Sequence, residues 1–326
     1  MNEVVEMNYR KALNEALRQE MVRDETVFII GEDIGIYGGM FGVTRGLLDE
    51  FGEKRVIDTP ISEAAIIGSA IGAARTGLRP IAEIMFGGFV CVCFDALYMK
   101  LGTWQQTQGG NLPLPVVVRM AMGAAVGGGL EQSMCPEALL AHSPGLTVIA
   151  PSTPYDAKGL LTSAIRADFP VIFLEHVNLY RERGNVPINE YCIPIGKAEV
   201  KRKGKDVTVA TYSAMVQKSL IAADQLADDG IDVEVLDLRT LVTVDEEAVI
   251  ESVKKTTRLV VAQESMSRAG YVNELISIVM EKCFEDLDAP IKKVAAADFA
   301  LPHDAKLEAL LVPQVKDIVQ AVKGLF

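Results

Sequence analysis

Several common signals are absent from this chain of 326 residues. It has no Gly-x-Gly-x-x-Gly turn for a dinucleotide and no Gly-x-x-x-x-Gly-Lys-Ser/Thr loop for ATP phosphates. It also has neither a Cys-x-x-Cys pair nor a His-Glu-x-x-His run, the common local ligand sets for zinc. These absences disfavour a nicotinamide dehydrogenase acting alone, a P-loop enzyme and a zinc enzyme.

Excess positive charge is absent too, because the net charge is −12. A nucleic-acid-binding protein needs a basic footprint to replace counterions, so we expect no nucleic-acid partner. The five cysteines are odd in number and scattered, which indicates reduced thiols in a reducing compartment. Residues 1–6 are acidic and polar, unlike a signal or transit peptide, and the longest apolar stretch, 84–94, is too short to span a bilayer. We therefore expect a cytoplasmic protein without a membrane partner.

Ordinary globular composition is what remains, with 49% hydrophobic and 23% charged residues. Short, continuously apolar segments alternate with helical patterns, which is typical of parallel sheets covered by helices on both faces. We predict an α/β fold of two parallel-sheet domains, 1–190 and 191–326, with the polar segment 181–196 as the linker.

One predicted helix has an unusual composition. Thr59-Pro60 is typical of a helix start, and the helical pattern continues to Thr76. Ala64, Gly68 and Gly72 recur every four residues and leave one face almost without side chains. Such a face allows another backbone or a flat ligand to approach closely.

A set of motifs extends along nearly the whole chain. The motifs are Gly31-Glu32-Asp33, Gly38-Gly39-Met40-Phe41, Asp58-Thr59-Pro60-Ile61-Ser62-Glu63-Ala64, Gly77-Leu78-Arg79-Pro80, Pro151 to Leu160, Asp237-Leu238-Arg239-Thr240 and Asp288-Ala289-Pro290. Together they resemble the β subunits of pyruvate, branched-chain and acetoin dehydrogenases, which are transketolase-like thiamine-diphosphate enzymes. The resemblance implies a transketolase-like pyrimidine-binding domain followed by a transketolase C-terminal-like domain.

The resemblance also implies a role for Glu63. A carboxylate bonded to the cofactor's pyrimidine nitrogen favours the imino tautomer that removes the thiazolium proton, and Glu63 occupies the family position of this carboxylate. By position alone, a glutamate in a first helical turn is explained by the helix dipole. Phe89 matches the aromatic residue that stacks on the pyrimidine, and Met85 is expected beside the same site.

Two further candidates concern proton transfer. Family members commonly carry Gln-His-Ser where this chain has Glu131-Gln132-Ser133, so Gln132 occupies the position of a histidine thought to assist transfer to a lipoyl group. Glutamine forms hydrogen bonds but does not titrate, so the acceptor or the proton path is left open. His142 does match the family, either as a neighbour of the active site or as a helix C-terminal residue.

The resemblance implies two things about ions. Some family members bind potassium through backbone carbonyls, and the matching residues here are Val116, Ala164, Ile165, Ala167 and Phe169. The chain also has no Gly-Asp-Gly, the start of the motif by which thiamine-diphosphate enzymes hold magnesium and the diphosphate. An α subunit is therefore expected to supply the charged end of the site in an α2β2 heterotetramer.

The hypothesis is a β subunit that decarboxylates pyruvate or a related 2-oxo acid, or cleaves acetoin, and passes the acyl group to a lipoyl acyltransferase core. Two alternatives remain: the C-terminal half of a split transketolase-like ketol transferase, and a non-catalytic scaffold subunit.

Overall fold

The computed structural model describes residues 3–110, 112–124 and 127–326. It has two layered α/β sheets and a small two-stranded ribbon. The strands are β1 Val4–Asn8, β2 Val27–Gly31, β3 Val56–Asp58, β4 Arg79–Phe86, β5 Val117–Met122, β6 Thr147–Ile149, β7 Val171–His176, β8 Arg183–Pro187, β9 Glu199–Arg202, β10 Val207–Thr211, β11 Val233–Asp237, β12 Thr240–Val242, β13 Leu259–Met266 and β14 Lys292–Ala296. The α-helices are α1 Tyr9–Arg23, α2 Leu47–Phe51, α3 Glu63–Arg75, α4 Trp104–Thr107, α5 Gly129–Ser133, α6 Glu137–Ala141, α7 Pro154–Arg166, α8 Ala214–Asp228, α9 Glu246–Thr256, α10 Val272–Lys282, α11 Ala305–Leu311 and α12 Val315–Lys323.

The first sheet has seven strands in the order β12-β6-β7-β5-β4-β2-β3, and the second has five in the order β14-β13-β10-β11-β9. Within each sheet all neighbours are parallel except at one edge, where β12 runs antiparallel to β6 and β9 antiparallel to β11. Most strands between the edges are buried on both faces, as their continuous apolar runs predict. The predicted two-sheet α/β fold is confirmed.

Helix α3 begins later than its sequence predicts. The Thr59 N–H still donates to the Gly31 carbonyl at 2.9 Å, so the chain is held at the edge of the sheet there. Ser62 is the N-cap residue and Glu63 the first helical residue, so the predicted start at Thr59-Pro60 is wrong by one turn. A Cβ added at Gly68 or Gly72 would meet no described atom within 4 Å, so the small-residue face is open in the single chain.

The two sheets are connected by a strand that follows the second sheet in sequence and pairs with the first. Strand β12 follows β11 of the second sheet in sequence yet pairs with β6 of the first, and the Ala150 N–H donates to the Arg239 carbonyl at 2.8 Å. One hydrophobic cluster combines side chains from both sheets, including Met120, Val148 and Leu236. The segment 181–196 is not a plain linker, because β8 within it pairs antiparallel with β1. Among the described helices, none is both long and apolar enough to cross a membrane.

Candidate active site

Acidic side chains collect at the carboxyl ends of β2 and β3, which lie at one edge of the first sheet. In open α/β sheets, ligands usually bind outside the carboxyl ends of the strands. Asp58 ends β3, and its carboxylate accepts the Gly35 N–H at 2.7 Å. A Cβ at Gly35 would lie only 2.4 Å from Asp58 Oδ2, so glycine is required for this contact. The loop after β2 is thereby fastened to the end of β3.

Glu63 is a nearly buried residue whose carboxylate has no cationic partner among the described residues. It is 7% exposed and its oxygens keep contact with solvent, whereas the hydroxyl of Thr59, in the same motif, is buried without a partner. An unsatisfied buried polar group such as the Thr59 hydroxyl costs free energy. A ligand with hydrogen-bonding groups, such as an aminopyrimidine, would satisfy this hydroxyl and pair with the Glu63 carboxylate.

The titratable neighbours of Glu63 resist ionisation. Burial raises the pKa of the Glu32 carboxyl, and the charges of Asp33 and Glu63 raise it further. Burial also raises the pKa of the Cys93 thiol to about 12, with Glu63 again contributing. These shifts place the negative charge of Glu63 within reach of both groups and favour their neutral forms.

Met85 lies near the end of β4, and Phe89 lies within the turn that follows it. Met85 is half-buried near the end of β4, and the Phe89 ring packs edge-on against Phe86 with centroids 5.7 Å apart. A Cβ at Gly88 would lie 2.1 Å from the Glu131 carbonyl oxygen, so only glycine allows helix α5 to approach this turn. The fold therefore brings exposed Gln132, on α5, to the segment that carries Phe89.

His142 lies elsewhere. It is the C-cap residue of α6, which agrees with the helix-end alternative, and its Nδ1 is 2.6 Å from the Tyr98 hydroxyl. The cleft that it lines has a volume of about 630 Å³ and is formed largely by 241–244 and 269–274. The described wall of that cleft contains none of the other candidate residues Glu63, Met85, Phe89 and Gln132.

The carbonyls predicted to bind potassium are in part already engaged. Arg79 Nη1 donates to the carbonyls of Ile165 and Ala167 at 3.0 and 2.9 Å. The Val116 carbonyl accepts the Val171 N–H, and that of Ala164 accepts the Ala167 N–H. Two of the predicted carbonyls therefore converge on one point, and a cationic guanidinium lies there.

Sequence reasoning missed a buried ion cluster beside Met85. Arg119 is 2% exposed, pairs with both oxygens of Glu175 at 2.6 and 2.8 Å, and donates to Glu83 at 2.6 Å. Burial raises the pKa of Glu83 in spite of this partner. The three side chains come from β4, β5 and β7, and only the sheet order brings them together.

A second missed feature is the closure of the glycine-rich loop after β5 by the second sheet. Glu264 accepts the Ala124 N–H at 2.7 Å and pairs with His176 Nε2 at 2.8 Å. Glu308 accepts from the Gly127 N–H at 2.9 Å and from the Ser133 hydroxyl at 2.5 Å. Two buried carboxylates from the second half of the chain thus fix both ends of the loop that leads to Gln132.

Comparison with known proteins places this geometry in a class. Residues 5–183 match the family model described as the pyrimidine binding domain of transketolase, and residues 196–318 match the transketolase C-terminal domain. A solved structure titled "Split gene transketolase, inactive beta4 tetramer" has a TM-score of 0.78 over 98% of each chain, at 21% identity. At that identity the likeness is one of fold alone.

Similarity at higher identity narrows the class. The chain is 46% identical to a pyruvate dehydrogenase E1 component subunit beta from Staphylococcus epidermidis, over 98% of this chain and 99% of the other. It is 43% identical to a 2-oxoisovalerate dehydrogenase subunit beta from Bacillus subtilis, over 98% of both. The chain belongs to the family of 2-oxo acid dehydrogenase β subunits, as the sequence motifs predict.

Proposed function

We propose that this chain is the β subunit of a thiamine-diphosphate-dependent dehydrogenase that decarboxylates pyruvate or a branched 2-oxo acid, or cleaves acetoin. The acyl group then passes to the lipoyl group of an acyltransferase core. A cytoplasmic location and a division into domains at residue 190 belong to the same proposal. The relatives named for pyruvate and 2-oxoisovalerate make these two acids the first substrates to test.

Glu63 is the observation that carries the proposal. It is 7% exposed, begins α3 and has no cationic partner among the described residues, so its carboxylate is available to pair with a bound ring. Thiamine diphosphate, when bound, would supply a carbanion at its thiazolium carbon. Glu63 would hold a proton at the pyrimidine nitrogen, and Met85 and Phe89 would orient the ring. Gln132 and His142 are retained as candidate proton-path residues, Gln132 because its helix lies against the Phe89 turn.

A partner α subunit is part of the proposal. The chain lacks Gly-Asp-Gly, so another chain must hold the diphosphate and magnesium. The open face at Gly68 and Gly72 provides a surface on which a second chain can pack closely. We propose an α2β2 heterotetramer on this basis.

The test is co-expression of this chain with a candidate α subunit. The purified complex is assayed by dye reduction on pyruvate, 2-oxoisovalerate and acetoin, with and without thiamine diphosphate. Cofactor-dependent turnover of one of these substrates supports the proposal. A complex that instead transfers ketol units between sugar phosphates supports the split-transketolase alternative, and an inactive complex with bound cofactor supports the scaffold alternative.

A potassium site at the carbonyls of Val116, Ala164, Ile165, Ala167 and Phe169 is also proposed. The convergence of two of these carbonyls on one point supports it, whereas the charge of Arg79 at that point opposes it. Thermal unfolding in potassium chloride and in tetramethylammonium chloride, at equal ionic strength, tests whether these carbonyls bind potassium. A higher midpoint in potassium alone supports the site, and equal midpoints contradict it.

A further inference from the structure

Three arginines line one pocket in this strongly acidic chain. The pocket has a volume of about 500 Å³ and is formed by the start of α1, the loop after β2 and the turn after β7. Arg10, Arg45 and Arg181 contribute its cationic groups, while Tyr37, Phe41 and Tyr180 contribute aromatic walls. Its size falls within the range of sites for small molecules.

The guanidinium groups have no acidic partner in the described part of the chain. Neither Arg10, Arg45 nor Arg181 takes part in a salt bridge there, although most other described arginines do. Arg10 donates one hydrogen bond, to the Phe41 carbonyl at 3.2 Å, which orients its side chain along the loop. The net charge of −12 makes three uncompensated cations in one pocket an unusual local arrangement.

Two of the arginines face the same point. A Cβ placed on Gly42 would lie 3.5 Å from Arg10 Nη1 and 3.6 Å from Arg45 Nη2. Gly42 has a φ of +75°, so a side chain there would be strained, and glycine keeps this space open. An oxygen atom of a ligand just above Gly42 would be within reach of both guanidinium groups.

The carboxylate of Glu83, close to Gly39 of the pocket, is already paired. Glu83 Oε1 lies 3.3 Å from a Cβ placed on Gly39. Glu83 accepts a hydrogen bond from Arg119 at 2.6 Å, and burial raises its pKa, so its repulsion of an anion is reduced. Phe41 lines both this pocket and the cavity beside Glu83, and it stacks on Tyr180 with centroids 4.8 Å apart.

We propose that Arg10, Arg45 and Arg181 form a binding site for a phosphate-bearing small molecule. Guanidinium groups match phosphate oxygens with paired hydrogen bonds. Three guanidinium groups suit a ligand group with two or more negative charges better than they suit a ligand with a single carboxylate. The exposed Tyr37 ring, 61% accessible, offers a flat apolar surface for the remainder of the ligand. This inference does not rest on the proposed function, since it concerns this chain alone.

The probe is inorganic pyrophosphate, titrated calorimetrically into the full chain at low ionic strength. We expect saturable binding, and at least ten-fold weaker binding in Arg45→Ala and in Arg181→Ala. Arg45→Lys, which keeps the charge but loses the fork, should fall between wild type and alanine. Arg268→Ala is the matched control, because Arg268 is 84% exposed, lies in the second half of the chain and changes the net charge equally.

The outcomes separate clearly. Loss of binding in the two pocket variants with retention in Arg268→Ala supports the site. Absence of pyrophosphate binding to the wild-type chain at millimolar concentration overturns it, as does an equal loss in Arg268→Ala, which would indicate attraction by general charge. Circular dichroism verifies that each variant is folded. Because Arg45 and Arg181 are both exposed and are replaced separately, the conclusion does not depend on a single variant that misfolds.

Discussion

Replacement of Glu63 by glutamine should reduce activity without lowering stability. The residue is 7% exposed and has no cationic partner among the described residues, and its negative charge opposes ionisation of Glu32 and Cys93. Glutamine has nearly the same shape but no charge, so the free energy of unfolding of the isolated chain should stay within about 1 kcal/mol of wild type. Loss of the carboxylate should lower cofactor-dependent turnover by about 10²- to 10⁴-fold, the usual contribution of a proton-transfer group.

The same substitution at Glu175 provides the matched control. Glu175 is 1% exposed, lies in the same sheet and is paired with Arg119 at 2.6 and 2.8 Å and with the Tyr180 hydroxyl at 2.8 Å. Glu175→Gln breaks a buried ion pair and should lower the free energy of unfolding by about 3 kcal/mol. The same substitution is thus expected to lower stability clearly at Glu175 and to leave it almost unchanged at Glu63.

Urea denaturation of the isolated chain measures the stability effect, and dye reduction by the assembled complex measures activity. A destabilised Glu63→Gln chain would refute the reasoning, because it would mean that Glu63 already has a stabilising partner within the chain. Near-normal turnover in that variant would refute its catalytic assignment independently.

Three other predictions follow from the structure. Burial alone would raise the pKa of Glu264, but the charge and hydrogen bond of His176 lower this pKa from 4.5 to about 2. The ionised Glu264 therefore contributes roughly 3 kcal/mol to the free energy of unfolding above pH 4.5, and this contribution is lost as the pH falls towards 2. Acid unfolding followed by circular dichroism should accordingly show a steeper loss of stability in wild type than in Glu264→Gln. Gly68→Ala should stabilise the isolated chain by about 1 kcal/mol in urea denaturation, because no described atom lies within 4 Å of a Cβ placed there. Gly68→Leu should fold but fail to co-purify with the α subunit. Assembly of the leucine variant would contradict a role for this face in assembly. Gln132→His should fold normally, since Gln132 is exposed. The histidine should introduce a pH-dependent step near neutrality in the lipoyl-acceptor assay but not in dye reduction. Unchanged pH profiles in both assays would argue against a position of Gln132 on the proton path.

Local periodicity predicted the helices well where the helix itself supplies the pattern. The sequence pattern predicts helices from Tyr9 to Arg23 and from Ala214 to Asp228, and α1 and α8 begin and end at these residues. In α1 the Asn8 side chain accepts the Lys11 N–H at 2.8 Å, a capping interaction that depends only on neighbouring residues. Such elements can be predicted because their boundaries are set by short-range interactions.

Elements determined by distant neighbours were not predicted. The sequence pattern predicts a single helix from Phe89 to Leu101. The structure instead has a 3-10 turn, Gly87–Cys91, followed by a π-helical segment, Asp95–Leu101, and Gly87 and Gly88 pack against the backbone of 131–134. Strand β12 has three residues and pairs with a strand from the other half of the chain. No pattern within three residues indicates such a partner.

The candidate site shows the same division. Glu63 was assigned by its motif, but position alone could not separate a catalytic carboxylate from one that stabilises a helix start. Burial without a partner is a property of the folded chain, and it favours the first explanation. Arg10, Arg45 and Arg181 are remote in sequence, and only the fold brings them to one pocket.

In the isolated chain, polar side chains of the candidate site and one face of α3 have no partner among the described residues. Within the described residues the Thr59 hydroxyl is buried and unsatisfied, the nearly buried Glu63 carboxylate has no cationic partner, and the Gly68 face is open. Both features cost the isolated chain free energy, through unpaired polar groups and through helical glycine. A ligand and a second chain that complete them bind the folded form alone, so each must stabilise it by mass action. The free energy of unfolding should therefore be lowest for the isolated chain and should rise with the α subunit and again with thiamine diphosphate, and only the second increment should depend on Glu63.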